Sequence, residues 1–289
     1  SVALVTPSYH GDFERCKLLC ASVDRFLTSV CDHYILVDDD DLSMFAPLAN
    51  TQRHVISEKD LLPGWLHSFR PPWSANARKI WFSRKTWPMR GWHIQQLRRI
   101  AIAQHVEVDA LLYCDSDMLF VRGFDPESLW KNGDLRLYRN EFGIVRELAE
   151  RGAKHRHWTE QAARLNGLSK PSFPAHDYIN NLVSWRRDHV LAMCDRIEAN
   201  TGKDWLSAIA SNRTFSECQI YGAYADGVRG RKGHWCAKSG LCRTYWSGEA
   251  LNETGLEEFL AELEPEQVAV GIQSFTGTDI ALLRRLIDR

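Results

Sequence analysis

The chain opens on a run of apolar, β-rich residues, Val2-Ala3-Leu4-Val5-Thr6, which stops at Pro7-Ser8-Tyr9 and Gly11. From Phe13 to Leu27 the period changes: Cys16, Leu19, Cys20, Val23, Phe26 and Leu27 recur at helical spacing, which predicts a helix with one buried face. His33 to Val37 reads as a second strand halted by the aspartates Asp38 to Asp41, and Arg53 to Ile56 as a short third. A Trp-rich stretch with few regular signals follows. Trp92 to Val106 is predicted helical, with Ile94, Leu97, Ile100, Ala101 and His105 on one face. Ala110 to Cys114 is a continuous apolar strand, of the kind buried on both faces of a parallel sheet.

Strands alternating with helices at this spacing imply right-handed βαβ units and an α/β fold, a Rossmann-type, mostly parallel sheet flanked by helices. Ligands bind such sheets beyond the carboxyl ends of the strands. Three places qualify: Thr6-Pro7-Ser8-Tyr9, Asp38 to Asp41, and Asp115-Ser116-Asp117. The second half is less regular. Asp188 to Asn200 and Asn252 to Leu263 read as helices, Glu217 to Ala225 as a helix start, and Gly240 to Ser247 and Ala269 to Phe275 as extended. With no repeat and no Pro/Gly/Ser-rich linker, residues 1–289 are read as one domain. Its first half, to about residue 125, holds all three places and is expected to bind the ligand and metal, with the rest completing the cleft.

Composition changes this picture little. A chain of 289 residues buries enough surface to fold without disulfides or a structural metal. The net charge of −1 gives no overall pull toward nucleic acid, and no nucleic-acid partner is expected. No apolar run approaches the roughly 20 residues of a spanning helix, and no signal-peptide pattern opens the sequence. The eight cysteines lack the spacing of a disulfide framework, and a reducing cytoplasm is the simpler reading. His234, Cys236 and Cys242 hold part of a zinc pattern whose second pair is missing.

The strongest chemical signal is Leu111-Leu112-Tyr113-Cys114-Asp115-Ser116-Asp117-Met118. A buried strand delivers two carboxylates, two residues apart and so on one side, to the sheet's edge. Such oxygen ligands suit Mg²⁺ or Mn²⁺ and leave positions for phosphate oxygens. The bland alternative is a pair of aspartates at a strand-to-turn junction. Asp38 stands where a carboxylate can meet a ribose or base, or where it caps a solvated turn. Tyr9 can stack on a nucleobase, or Pro7 and Ser8 can simply make a turn.

Between Trp65 and Arg99 the sequence interleaves Trp65, Trp73, Trp81, Trp87 and Trp92 with Arg70, Arg78, Lys79, Arg84, Lys85, Arg90, Arg98 and Arg99. This mixture suits a sugar-phosphate or lipid-linked acceptor, a peripheral contact at the inner face of a membrane, or a nucleic-acid strand; it equally suits a core patch with a solvated basic rim. Ser216-x-x-Gln219 reads as a capping box, which leaves Glu217 free to face a cleft as a catalytic base.

On these residues the chain resembles the GT-A superfamily of nucleotide-sugar-dependent glycosyltransferases, and within it a bacterial branch of uncharacterised members. The likeness rests on Thr6-Pro7-Ser8-Tyr9, Asp38, Gly91-Trp92-His93-Ile94-Gln95-Gln96-Leu97, Tyr113 to Met118, and Ser216-Glu217 with Tyr221-Gly222. It implies a hexosyltransferase-type enzyme that moves a sugar, UDP-linked by expectation, to a glycan, lipid or small-molecule acceptor with inversion. It also implies Mn²⁺ or Mg²⁺ on Asp115 and Asp117 with His234 as a third ligand, against Gln273-Ser274 as competitor. Donor contacts are then expected from Thr6, Pro7, Ser8, Tyr9, Asp38, Gln95 and Ser116, and base chemistry from Glu217. Two alternatives stay open: a haloacid-dehalogenase-like phosphatase using the same Asp-x-Asp, and a carbohydrate- or lipid-binding protein without turnover.

Overall fold

The computed structural model describes residues 1–29, 31–71, 79–145, 150–246 and 248–288. The first apolar run forms β1 (Val2–Pro7), and helix α1 (Phe13–Phe26) carries the chain to β2 (Asp32–Val37) and on to β3 (Arg53–Ser57). These strands pair in parallel, β1 with β2 and β2 with β3. Helix α2 (Gly91–Ala101) returns the chain to the other side of β1, where β4 (Ala110–Cys114) also pairs with it in parallel. A short strand, β5 (Met118–Phe120), follows the Asp115-Ser116-Asp117 turn. Strand β6 (Leu182–Arg186) then closes the sheet antiparallel to β4. The order is β6-β4-β1-β2-β3: an α/β protein with a mostly parallel central sheet.

Alternating side-chain direction explains why the central strands are apolar throughout. Ala3 and Val5 of β1, with Leu111 and Tyr113 of β4, pack on Ile94, Leu97 and Ile100 of α2. Val2 and Leu4, with Ala110, Leu112 and Cys114, face the other way onto Leu19 and Val23 of α1. The predicted apolar faces of both helices are turned inward, except that α2 gives way to a 3₁₀ turn at Ile102–Gln104 and leaves His105, expected on the buried face, exposed.

The second half contains elements that the hydrophobic pattern does not announce, helix α3 (Glu150–Leu165) and β6. After α4 (Arg187–Thr201) comes α5 (Glu217–Ala223), which continues as a π turn at Tyr224–Val228 instead of a regular helix to Ala225. Gly222 is needed there, because a Cβ would overlap the ring of Tyr178. Strand β7 (Cys242–Tyr245), helix α6 (Glu253–Ala261), strand β8 (Ala269–Ile272) and helix α7 (Ile280–Asp288) complete the chain. Ser247, expected to extend β7, lies outside the described residues. Because β8 pairs antiparallel with β5, the Gln273-Ser274 turn arrives beside Asp117. No helix among the described residues is long and apolar enough to cross a membrane.

Two buried histidines serve the fold. His33 accepts from Arg53 Nε on Nδ1 at 3.3 Å, so its Nε2 carries the proton shared with Thr6 Oγ1 at 2.9 Å. Tyr221 accepts from the Arg186 amide and donates to His234 Nε2 at 3.0 Å, while His234 Nδ1 donates to the Leu135 carbonyl at 3.1 Å. Burial lowers the pKa of His33 to about 3 and of His234 to about 4. Both therefore remain neutral in the folded chain while the unfolded chain takes up protons below about pH 6.5. Stability should fall as pH drops from there toward 4, by about 1.4 kcal/mol per unit for each histidine. Urea midpoints across this window measure it: His234→Gln should fall less steeply than the parent, and equal slopes would contradict the assignment.

Candidate active site at the carboxyl edge of the sheet

The chain fills the sheet on one side of β1 with β2 and β3, then crosses to the other side for β4. The switch point between β1 and β4 leaves a crevice at their carboxyl ends. A cavity of about 400 Å³ opens there. Its floor is the Asp115-Ser116-Asp117 turn. Tyr9 and Asp12 flank it from the end of β1, one face of α2 forms a wall, and the start of α5 and the Gln273-Ser274 turn close the remaining sides.

Carboxylates dominate the floor. Asp117 Oδ2 accepts from the Ser274 amide at 3.2 Å, but its Oδ1 is buried with no partner among the described residues. Burial, and then the neighbouring Asp115 and Asp12 carboxylates, push Asp117 up to about 7. Asp12 accepts from Ser116 Oγ at 3.3 Å, and its Oδ1 is likewise buried and unpartnered. Burial raises its pKa as well. Orphaned carboxylate oxygens facing like charge are costly unless a cation joins them. All-oxygen donors of this kind fit Mg²⁺ or Mn²⁺ rather than zinc. No group of three or more His, Cys, Asp or Glu among the described residues encloses a metal ion, so such an ion would need ligand and water oxygens to complete its shell.

Arg99 organises the other half of the floor. It extends from α2, is buried, pairs with Asp115 through Nη2 and reaches Glu217 Oε1 through Nη1 at 2.7 Å. Burial opposes its charge, but Asp115 and Glu217 overcome that and raise its pKa. Gln95 adds a 3.4 Å contact to Asp115. Glu217 is presented by the capped start of α5, where Ser216 accepts from the Gln219 amide and Gln96 Oε1 accepts from the Glu217 amide at 3.1 Å. Only half of the expected capping box forms, because the Gln219 side chain turns to Asp177 at 3.0 Å. Removing Arg99 leaves the buried Glu217 carboxylate without its cation and the half-buried Asp115 with Gln95 alone, so Arg99→Met should cost about 3–5 kcal/mol. Guanidinium denaturation measures this; a loss below about 1 kcal/mol would show that the bridge is not structural.

The structure thus gathers Tyr9, Gln95, Asp115, Ser116, Asp117 and Glu217 around one cavity. Other expected contacts lie elsewhere. Thr6 is fully buried, bonded to His33 and Cys114, and has no group to offer a ligand. Pro7 and Ser8 are buried at the end of β1. Asp38 is held by the Lys79 ammonium at 2.5 Å and by the Asp40 amide, beyond the cavity lining. His234 is corrected outright: both ring nitrogens are occupied within the core, and it does not line the cavity. It forms no metal group with Cys236 and Cys242, and all eight cysteines are free thiols.

The Trp-rich stretch divides between packing and the site. Trp81 is buried and donates to Glu58, which also pairs with Arg98. Lys85 lies over Trp65, and Arg213 over Trp87. Of the tryptophans and basic residues of this stretch, Trp92 and Arg99 are those among the described residues that line the cavity; Trp73 and Arg78 lie outside the described residues. Asp12 and the bridging role of Arg99 were missed from sequence. A signal for Arg99 existed: Trp92, Gln95, Gln96 and Arg99 repeat at i, i+3, i+4 and i+7, opposite the apolar stripe of the same helix.

Fold and site together define an α/β protein with an acidic ligand cavity at the switch point of its sheet. The chain belongs to DUF6492, a family of unknown function, which it matches over residues 2–289. No curated protein matches it.

Proposed function

We propose that the chain is a metal-dependent glycosyltransferase of GT-A type, which transfers a sugar from a nucleotide-linked donor to an acceptor hydroxyl. The observation that carries this reading is the pair of buried, unpartnered oxygens on Asp12 and Asp117, in a cavity that also contains Asp115 and Glu217. A divalent ion bound there would offset the charge developing on a departing diphosphate. Asp115 and Asp117, with Asp12 beside them, are the residues that would hold it.

The remaining side chains have complementary tasks. Arg99 fixes the orientation of Asp115 and Glu217 relative to each other. Glu217 accepts the proton of the acceptor hydroxyl as the new bond forms, with Oε1 anchored on Arg99. Tyr9, nearly half exposed at the rim, offers a face to the nucleobase. A UDP-linked donor is the first candidate.

A thermal-shift screen of nucleoside diphosphates and nucleotide-sugars, each with and without MnCl₂, tests the reading. A ligand at 100 times its dissociation constant adds about 2.7 kcal/mol of stability. Stabilisation that needs both nucleotide and cation is expected. No response to any nucleotide, or responses indifferent to Mn²⁺, would overturn it.

A further inference from the structure

We propose that Trp92 and Trp158 form a platform for a pyranose ring of the acceptor, making the acceptor a glycan; this rests on the glycosyltransferase reading above. The stripe Trp92, Gln95, Gln96 and Arg99 runs along the cavity wall. Seven residues of helix separate its ends by about 10 Å. Arg99 grips the carboxylates of the floor, so Trp92 stands at the mouth. There it meets Trp158 of α3, with ring centres 5.7 Å apart and planes tilted by 34°. His155, on the preceding turn of α3, lies 5.2 Å from Trp158 and lines the same cavity.

Trp92 stays 47% exposed despite this neighbour, and the Trp158 indole N–H is buried with no partner among the described residues. An aromatic wall above a polar floor fits a ligand with one C–H face and hydroxyls around its edge. A pyranose is such a ligand: its C–H face meets the electron-rich indole face, and its hydroxyls meet the polar side chains of Gln95 and Asn180 in the cavity lining. A lipid chain over the same wall would offer no acceptor to the Trp158 N–H and would cover a polar lining, which is unfavourable. The depth from Trp92 to Arg99 exceeds one sugar ring. The platform therefore holds a ring other than the reacting one, and acceptors of two or more sugars are favoured over monosaccharides.

Saturation-transfer difference NMR tests this with methyl glycosides of maltose, cellobiose, lactose and chitobiose, and of their monosaccharides, in the presence of UDP and MnCl₂. The parent protein should saturate the ring C–H protons of at least one disaccharide. Its affinity should fall tenfold or more in Trp158→Ala and in Trp92→Ala, and largely return in Trp158→Phe. If alanine variants fail thermal melting as folded proteins, the comparison of Trp158→Phe with the parent still reads the platform, through weakened but measurable binding. No disaccharide binding to the parent, or full binding by folded Trp158→Ala, would overturn the proposal. UDP affinity with Mn²⁺ on the same samples separates the failures. Retained UDP binding without glycan binding removes only the platform, whereas absent UDP binding in the parent removes the underlying reading. A loss of UDP affinity in folded Trp158→Ala would assign the wall to the donor and also overturn the proposal.

Discussion

Asp117→Asn is expected to abolish the effect of Mn²⁺ on nucleotide binding while making the cation-free protein more stable. The two outcomes share one cause. Asp117 is half-buried with its Oδ1 enclosed, and this desolvation, then the neighbouring Asp115 and Asp12 carboxylates, push it up to about 7. A carboxylate whose folded pKa lies above its unfolded value lowers stability progressively as pH rises between the two, and the full cost is present above the folded pKa. At pH 8 the substitution should therefore add on the order of 1–4 kcal/mol. Stability given up at a site in this way is common where function needs it. The same substitution removes a charged oxygen from the proposed cation site, so the nucleotide should lose its dependence on the cation. Calorimetry with MnCl₂ and thermal melting at pH 8 supply both readouts. An unchanged melting temperature together with an intact Mn²⁺ effect would contradict the role given to Asp117.

The second large effect is expected at Glu217. Glu217→Gln preserves the shape and can still accept from Arg99, but it removes the basicity needed to take the acceptor proton. Transfer should fall by roughly 10²-fold or more, while donor affinity changes little. Displacement assisted by one base inverts the anomeric centre, which NMR of the product reads independently. Near-normal turnover of the variant, or retained configuration, would remove Glu217 from this role. Of the other acids in this half of the chain, Asp226 is engaged by Arg139 at 2.6 Å and Tyr178 at 2.7 Å, whereas Asp177 accepts from Gln219 two residues before the lining residue Ile179. Asp177 would be the next residue to test.

The first half of the fold was readable because its signals are local. Ala110 to Cys114 is apolar at every position since both its faces are covered, and α1 and α2 show helical periodicity since each covers one face of the sheet. Asp115 and Asp117 could be located because chain order alone places them at the end of such a strand. Asp12 could not, because its proximity to Asp117 depends on the parallel pairing of β1 with β4. Helix α3 combines polar and aromatic residues around much of its circumference, which hides its period while it brings Trp158 to the cavity. His234 misled for the opposite reason. A histidine near the chain's end resembles a ligand in sequence, yet the bonds to Tyr221 and Leu135 that make it a core residue come from distant segments.

The most direct measurement is release of nucleoside diphosphate from a panel of nucleotide-sugars, followed with MnCl₂ and again with EDTA. A metal-dependent transferase should release it from at least one donor with Mn²⁺, and EDTA or Asp117→Asn should suppress that release. No release from any donor, or equal release in EDTA, would contradict it.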